Sequence, residues 1–460
     1  MKRQSAGVAL ADQIELDIRS ARHAPDSVLA FETELQTRHG AGRSVVRQAI
    51  RILVQRGIVY TRRGKGGGTL VAKPEPESAS RALSIVLEAQ LTSMADITEL
   101  LRATDSHLFS NCVQRARLSE CEQLRTLVRH LDELPAAEFL RVGAHRQVQV
   151  ALRKVLGDPA ASLAQRTCMD CGIDLLPYSV HVVEEGRRGD FWELTLQMTE
   201  ALVAGDARLM FELHMLQRKM FEANWRGSAP AQDKNHTRVD DLSSMEKQSG
   251  ETGAERLTRE ILRDIHARGW KVGERLGGAE DLMRRFGASP AVLRQAVRML
   301  EEYSAVHMQR GPSGGLRIAA PNEARAIQRA VGYLRTAEMN PPDTLLYLRH
   351  LLLEALNHSV RAPDSGRIAQ LRELSERARS SRARPMPQTD AELFLAIAQF
   401  SDNPALTLFV RLLLTLLPQP YPTHGAPDIL EDMLEGIVAG DAPKARRAFL
   451  QYTNPRSPAR

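Results

Sequence analysis

A glycine-rich stretch with basic side chains, "RRGKGGGTLVAKP" at 62–74, combines residue types that bind phosphate. The backbone amides of such a loop, together with a lysine, could cradle the phosphates of a nucleotide or contact the backbone of DNA. A nucleotide-binding loop requires a Gly-Lys-Ser/Thr ending, and here Thr69 follows Gly68 with no lysine between them. The spacing therefore argues against nucleotide binding.

The chain around this stretch is strongly basic. Nine Lys or Arg residues and no Asp or Glu lie between Arg38 and Lys73, whereas the net charge of the whole 460-residue chain is only +6. A solvated surface would explain a shorter run, but a segment this free of acidic residues typically faces phosphate. The segment is therefore expected to contact a polyanion.

The chain contains the same pattern twice. The glycine-rich stretch returns as "QRGPSGGLRIAAP" at 309–321, and the residues before it recur at a constant spacing. Pairs that are 247 residues apart are Ile14 and Ile261, Leu29 and Leu276, Gly40 and Gly287, Arg47 and Arg294, Arg51 and Arg298, and Gly67 and Gly314. This constant spacing predicts that one structural unit occurs twice.

Each copy predicts three helices followed by a β-hairpin. A first segment with helical periodicity precedes a short second helix, which ends at Gly40 or Gly287. A third helix follows at 42–57 or 289–304, and "IVYTRR" and "TLV" then predict two strands joined by the glycine-rich turn. These elements compose a winged helix-turn-helix, in which the third helix enters the major groove of DNA and the hairpin contacts the backbone.

The third helix has the two faces that a groove-reading helix needs. An apolar stripe would pack on the domain, while arginines recur at every fourth residue on another face. The stripe contains Val46, Ala49, Ile50 and Leu53, and the ridge contains Arg43, Arg47 and Arg51. Exposed arginines in this position are suited to base edges and phosphates.

These units resemble the DNA-binding domain of the GntR family of bacterial transcription regulators, which has this helix order, an Arg-x-x-x-Arg pair opening the third helix, and a glycine-rich wing. The resemblance implies contacts to DNA from Arg43, Ser44, Arg47, Arg51, Arg62, Arg63, Lys65, Gly66 and Gly67 in the first copy, and from Arg294, Arg298, Arg310 and Gly314 in the second. The second copy departs from the pattern because Pro290 stands at the position of Arg43. A further family arginine, on the second helix, is replaced by Thr33 and by Glu280.

A long helical region follows each unit, so the expected fold class is mainly α. The segment 226–253 is polar and poor in apolar residues, which predicts a linker. The expected domains are a winged helix-turn-helix at 1–76, a helical domain at 77–225, the linker at 226–253, a second winged domain at 254–321 and a second helical domain at 322–460. Because Arg102 and Arg349 are also 247 residues apart, the whole regulator is expected to be duplicated in tandem.

The helical regions resemble the FCD effector-binding domain, an all-α bundle found in the FadR-like branch of the same family. Many such domains hold a divalent metal with one Asp and three His residues. The corresponding positions here hold His145, Gln149, Thr195 and Gln217 in the first half, and Asp390, Phe394, Leu430 and Tyr452 in the second. Loss of most ligands removes most of the affinity for a metal, so neither a metal nor another cofactor is expected.

Four residues are candidates for effector binding: Arg102, His145, Arg349 and Asp390. A buried arginine is suited to a small carboxylate effector, which it can bind through two hydrogen bonds. The alternative for Arg102 and Arg349 is an interhelical salt bridge. His145 and His214 could also meet in one pocket.

The pair Cys168 and Cys171 forms a single C-x-x-C within a segment with helical character. No second Cys or His pair stands at zinc-finger spacing, so ordinary helix cysteines are favoured over metal or redox chemistry.

The sequence favours a DNA-binding transcription regulator, with repression as the family's usual mode, whose partners are a double-stranded DNA operator and a small-molecule effector. An enzyme with an appended regulatory domain is one alternative, but no nucleophile motif or paired-carboxylate arrangement supports an enzyme. The other alternative is a degenerate homologue that acts through protein partners, suggested by Thr33 and Glu280.

Assembly and location follow from the same features. Two DNA-binding domains in one chain predict an intramolecular pseudo-dimer on a pseudo-palindromic operator, and further pairing into a homodimer is compatible with it. No apolar segment has the length of a membrane span and the N-terminus lacks a signal-peptide core, so the protein is expected to be cytoplasmic.

Overall fold

The computed structural model describes residues 6–20, 23–24, 26–55, 58–62, 68–72, 76–113, 116–133, 144–171, 188–227, 253–309, 311, 314–337, 339–361, 365–380, 387–417 and 427–453. Within these ranges the chain is mainly helical and contains two small β-sheets. None of the helices in these ranges is both long and apolar enough to cross a membrane. Most of the predicted linker, 228–252, lies outside the described residues.

Residues 6–72 form a first unit of three helices and a small sheet. Its elements are α1 (Ala6–Ser20), β1 (Val28–Ala30), α2 (Glu32–His39), α3 (Arg43–Gln55), β2 (Val59–Arg62) and β3 (Gly68–Val71). The predicted hairpin is present as the antiparallel pair β2 and β3. The prediction of only two strands was wrong, because β1 pairs with the other edge of β3. A strand of three residues is too short to show the alternation that identifies strands in a sequence.

The third helix is held by its apolar stripe. Val46, Ala49 and Leu53 are fully buried, as predicted, and belong to the same core as Ile14 of α1. The turn before α3 is made by Gly40, whose φ of 58° lies in the left-handed region that glycine adopts without strain. The stripe and the glycine therefore fix the orientation of α3 relative to the core of the first unit.

A second unit has the same order of elements. It comprises α11 (Gly253–Ala267), β4 (Arg275–Gly277), α12 (Ala279–Phe286), α13 (Pro290–Glu302), β5 (Val306–Gln309) and β6 (Gly315–Ile318). Each begins 247 residues after its counterpart in the first unit, and the strand order β4-β6-β5 matches β1-β3-β2. Gly287 ends α12 with a φ of 60°, as Gly40 ends α2.

Among the described residues, seven α-helices follow each unit. In the first half they are α4 (Pro76–Ala89), α5 (Met94–His107), α6 (Leu118–Asp132), α7 (Ala144–Leu156), α8 (Pro159–Asp170), α9 (Arg188–Val203) and α10 (Ala207–Gly227), with a π-helical turn at Leu108–Cys112 after α5. In the second half they are α14 (Glu323–Thr336), α15 (Pro341–Arg361), α16 (Ser365–Ser380), α17 (Pro387–Phe400), α18 (Pro404–Leu416), α19 (Pro427–Ala439) and α20 (Ala442–Tyr452).

Two of these helices start with the same device. Asp158 caps α8 and Asn403 caps α18, each by accepting a hydrogen bond from the backbone N–H three residues later. Pro159 and Pro404 follow at the first helical position, where the missing N–H costs nothing. These caps place Asp158 and Asn403 beside α5, where both make further contacts.

The helices of both halves share one apolar core. A single cluster of buried side chains contains residues from α4 to α10 and from α14 to α20. α4 packs against α14, and α5 packs against α15. Helices at corresponding positions along the chain therefore meet at the boundary between the halves.

The second unit is fixed to this core. Ile85 of α4 is buried in the apolar cluster of the second unit. Arg329 of α14 lies over the ring of Tyr303, 5.2 Å from its centroid, and donates hydrogen bonds of 3.1 Å to Glu302 and to Ser78. The side chains of α4 and α14 thus hold the end of α13.

Candidate nucleic-acid interface

The arginine ridge of α3 faces away from the core. Side chains of Arg43 and Arg47 are 69% and 49% exposed, and Ser44 and Arg51 are exposed on the same helix. Because Val46, Ala49 and Leu53 are buried, the helix cannot turn these arginines inward without losing its core contacts. The structure therefore brings together the residues predicted at the start of the third helix.

A carboxylate that the sequence analysis missed holds two of these arginines. Oε1 of Glu32, in the first turn of α2, lies 2.8 Å from Nε of Arg47 and 3.3 Å from Nε of Arg43. Each contact leaves the terminal guanidinium nitrogens available for another partner, since only Nε is used. Glu32 precedes the acid-free run that begins at Arg38, and no local pattern links it to residues 11 and 15 positions later.

The base of the first wing is described, but its tip is not. Arg62 is exposed at the end of β2, opposite Gly68 in β3. Gly68 has a φ of 126°, which strongly favours glycine. The predicted residues Arg63, Lys65, Gly66 and Gly67 lie outside the described residues, as does Arg310 of the second copy.

The second unit presents a weaker version of the ridge. Arg294 and Arg298 are exposed on α13, but Pro290 begins the helix after the cap residue Ser289. Ala279 stands at the position of Glu32, so the carboxylate that holds Arg47 has no equivalent there.

In the second unit, backbone atoms of two glycines join the wing to β4. Nε of Arg275 donates a 2.8 Å hydrogen bond to the carbonyl oxygen of Gly314, one of the predicted contact residues. Gly315 has a φ of 139°, and a Cβ there would lie 2.5 Å from the carbonyl oxygen of Gly277. The close approach of β4 and β6 therefore requires glycine at 315.

The candidate effector residues lie in different surroundings. Nη1 of Arg102 forms a 2.9 Å ion pair with Oε1 of Glu354, which is the interhelical salt bridge considered as the alternative. Arg349 is half-buried, its Nε has no hydrogen-bond partner among the described residues, and burial lowers its pKa. For His145 and Asp390 the structure describes the helical backbone but not the side chain.

Of the positions compared with the metal ligands of FCD domains, five have described side chains: Thr195, Gln217, Phe394, Leu430 and Tyr452. Nε2 of Gln217 donates a 2.8 Å hydrogen bond to Oγ1 of Thr195, and both line a small, mostly apolar cavity. In the second half, Phe394 and Tyr452 pack edge to face with ring centroids 6.4 Å apart, and Leu430 is buried. Among the described residues, no three His, Cys, Asp or Glu side chains are grouped so that they could hold a metal ion.

His214 has a partner that the sequence pattern did not indicate. Its Nε2 lies 2.8 Å from Oδ2 of Asp105, which also accepts a hydrogen bond from Arg218. Burial by itself raises the pKa of Asp105, but the charges of His214 and Arg218 outweigh it and lower the pKa to about 2. This buried cluster joins α5 to α10, and spacing alone gave no sign of it.

The cysteine pair is buried. Cys168 lies in α8 and Cys171 caps its end, and burial raises the pKa of both thiols. Raised pKa values keep the thiols protonated and poorly nucleophilic.

The comparisons with known proteins identify the first unit. Residues 7–71 match the family model described as "Bacterial regulatory proteins, gntR family". The chain is 37% identical over 79 residues to the HTH-type transcriptional repressor NagR of Bacillus subtilis (strain 168). The matched segment covers 17% of this chain and 32% of NagR. It is 32% identical over 101 residues to RmpR of Mycobacterium gastri, covering 22% of this chain and 36% of RmpR. The chain thus spans about a third of the length of these curated relatives.

Among solved structures, the chain is similar to a GntR of Streptococcus agalactiae with 16% identity and a TM-score of 0.32, over 44% of this chain and 96% of the other. The family match covers α1 to β3, the unit that carries the arginine ridge. The first unit of this chain is therefore similar to the DNA-binding unit of the gntR family of bacterial regulatory proteins.

Proposed function

We propose, from the membership of residues 7–71 in the gntR family, that this protein is a DNA-binding transcription regulator and not an enzyme. The observation that carries the proposal is the exposed ridge of Arg43 and Arg47, held by Glu32 on a helix whose opposite face is buried. Arginines oriented in this way can contact guanine edges and phosphates in the major groove.

The second unit is proposed to be a second winged helix-turn-helix domain that arose by tandem duplication. The support is its identical order of helices and strands at a constant spacing of 247 residues. Its recognition helix α13 retains Arg294 and Arg298 but lacks counterparts of Arg43 and Glu32. The two units are therefore expected to read half-sites that differ in sequence and in strength.

The helical halves are proposed to be two FCD-like domains that pair within one chain. The support is the single apolar core that contains helices of both halves, with α4 against α14 and α5 against α15. Pairing inside one chain would place both DNA-binding units on one operator without a second copy, because the tether keeps the halves at a high effective concentration.

A small carboxylate is the proposed effector, and repression is the proposed outcome. The support for a carboxylate is the half-buried Arg349, whose Nε has no hydrogen-bond partner among the described residues. Repression is supported by the name of the relative NagR, which is a transcriptional repressor. Binding of an anion between the halves would change the relative orientation of the two DNA-binding units.

Binding to duplex DNA in a salt series tests the function. Purified protein is titrated into fluorescent random duplex DNA and into duplexes enriched from a random pool. We expect affinity to fall steeply with salt, because each neutralised phosphate contributes a slope of about −0.9 in log K against log salt. The double variant Arg43→Ala and Arg47→Ala serves as the matched control. A protein that acts only through protein partners would show no enrichment of sequences and no difference from that control.

A further inference from the structure

We propose that polar contacts between α5 and α15 make the two halves of this chain fit each other better than either half fits a second copy of itself. The inference rests on the proposed pairing of the halves, and it does not depend on DNA binding. It assigns a recognition role to side chains at the boundary of the halves, with the other half of the same chain as the partner.

The boundary contains matched polar pairs within an apolar surface. Oγ1 of Thr104 and Oη of Tyr347 are 2.7 Å apart, and both residues are buried. The ion pair of Arg102 with Glu354 joins the same two helices, and Glu354 is also buried.

A third pair lies near the middle of α5. Oε1 of Glu99 is 2.7 Å from Nε2 of His358, and Glu99 also accepts a 2.8 Å hydrogen bond from Nδ2 of Asn403. His358 is on α15 and Asn403 caps α18, so Glu99 joins the first half to two helices of the second.

These pairs are not repeated across the boundary. Because α5 and α15 begin 247 residues apart, exchanging the halves converts each pair into its counterpart positions. Thr104 with Tyr347 becomes Leu351 with Leu100, Arg102 with Glu354 becomes Arg349 with His107, and Glu99 with His358 becomes Leu346 with Asn111. Each polar pair is thus present once, and the positions that correspond to it after exchange of the halves do not hold the same pair.

A pair of identical first halves would lose these partners. Arg102 would face His107 in place of a carboxylate, and Nε2 of His107 is already 2.7 Å from Oδ2 of Asp158. Thr104 would face Leu100. Buried polar groups that lose their partners are costly, so this arrangement is disfavoured.

A pair of identical second halves would also be poorly matched. Tyr347, which is fully buried here, would place its hydroxyl against Leu351, and His358 would face Leu346 in place of Glu99. Only an ion pair between Arg349 and Glu354 could still form. The unlike pairing is therefore the one that gives the buried and half-buried polar groups at this boundary their partners.

A charge exchange in the full chain tests this assignment. Arg102→Glu and Glu354→Arg each place like charges together, and each is expected to lower the melting temperature by at least about 3 °C. The double variant Arg102→Glu/Glu354→Arg is expected to regain most of that loss. Arg208→Glu, which removes an exposed ion pair with Glu212 on α10, is the matched control and should change little. Failure of the double variant to recover would overturn the proposal.

Mixing the two single variants tests whether the partner lies in the same chain. Light scattering should give 51.1 kDa for the wild type and the double variant at all concentrations, and for the equimolar mixture of the singles. A species of twice that mass, with a recovered melting temperature, would show that halves of different chains pair and would overturn the proposal. If the single variants do not fold, Tyr347→Phe keeps the test open, because loss of the buried hydroxyl contact should still lower the melting temperature.

The DNA affinity of the double variant separates this inference from the proposed function. Recovery of stability without any DNA binding by wild type or variant would leave the pairing intact and refute the regulator. DNA binding by the wild type, without recovery of the melting temperature in the double variant, would support the regulator and refute the pairing.

Discussion

The two proposed DNA-binding units should contribute unequally to operator binding, and substitution of corresponding arginines measures the difference. Arg47 and Arg294 are 247 residues apart and both are exposed on the third helix of their unit. Arg47 is held by Glu32 and stands one turn after Arg43. Arg294 follows Pro290 and has Ala279 in place of Glu32. Arg47→Ala should therefore weaken operator binding more than Arg294→Ala.

The magnitude follows from the contacts that each arginine can make. A good arginine contact to a base contributes about 1–3 kcal/mol, which corresponds to a roughly 5- to 150-fold change in Kd. A guanidinium fixed at Nε loses less side-chain entropy on binding, so Arg47 should lie in the upper part of this range. Arg294 should lie near or below its lower end, giving a difference of at least about fivefold.

Fluorescence anisotropy with one operator duplex at fixed salt would measure both values. Arg208→Ala is a suitable control, because the Arg208 side chain is 90% exposed on α10 and lies outside both proposed DNA-binding units. Equal losses of DNA affinity for Arg47→Ala and Arg294→Ala would refute the reasoning. They would mean that Glu32 and Arg43 add nothing to DNA binding by the first unit.

Other consequences concern the helical halves and the fixed second unit. Asp105→Asn should cost about 3–5 kcal/mol of unfolding free energy, because the buried charge of Arg218 loses its carboxylate. Since folding lowers the pKa of Asp105 from 3.8 to about 2, its stabilisation is present above about pH 4 and lost as the pH falls towards 2; urea titrations that show the same acid loss in the variant would contradict this. Ile85→Ala should cost about 2–5 kcal/mol and increase hydrogen exchange in α13 but not in α3, and equal changes in both helices would argue against docking of the second unit alone. Elemental analysis should find no stoichiometric zinc, nickel or manganese after dialysis, because Thr195 and Gln217 bind each other; one metal per chain would disprove it.

Much of the DNA-binding unit could be predicted because its signals are local. The apolar stripe of α3 has helical periodicity, and the stripe and the arginine ridge occupy different faces in any helix of that sequence. Gly40 and Gly287 adopt left-handed backbone angles at the helix ends where the pattern predicted a stop. The short strand β1 escaped prediction, since three residues are too few to show the alternation of a strand.

The contacts that orient and join these units depend on residues far apart in the chain. Glu32 reaches Arg47 across two helices, Arg102 meets Glu354 after 252 residues, and Asp105 meets His214 after 109. Periodicity tells which face of a helix is apolar, but not which helix covers that face. The local pattern predicted the helices and the hairpin of the first unit and the arginines that lie exposed on α3. The partners of these side chains depend on the packing of distant segments, because two charges pair where packing brings them within reach of each other.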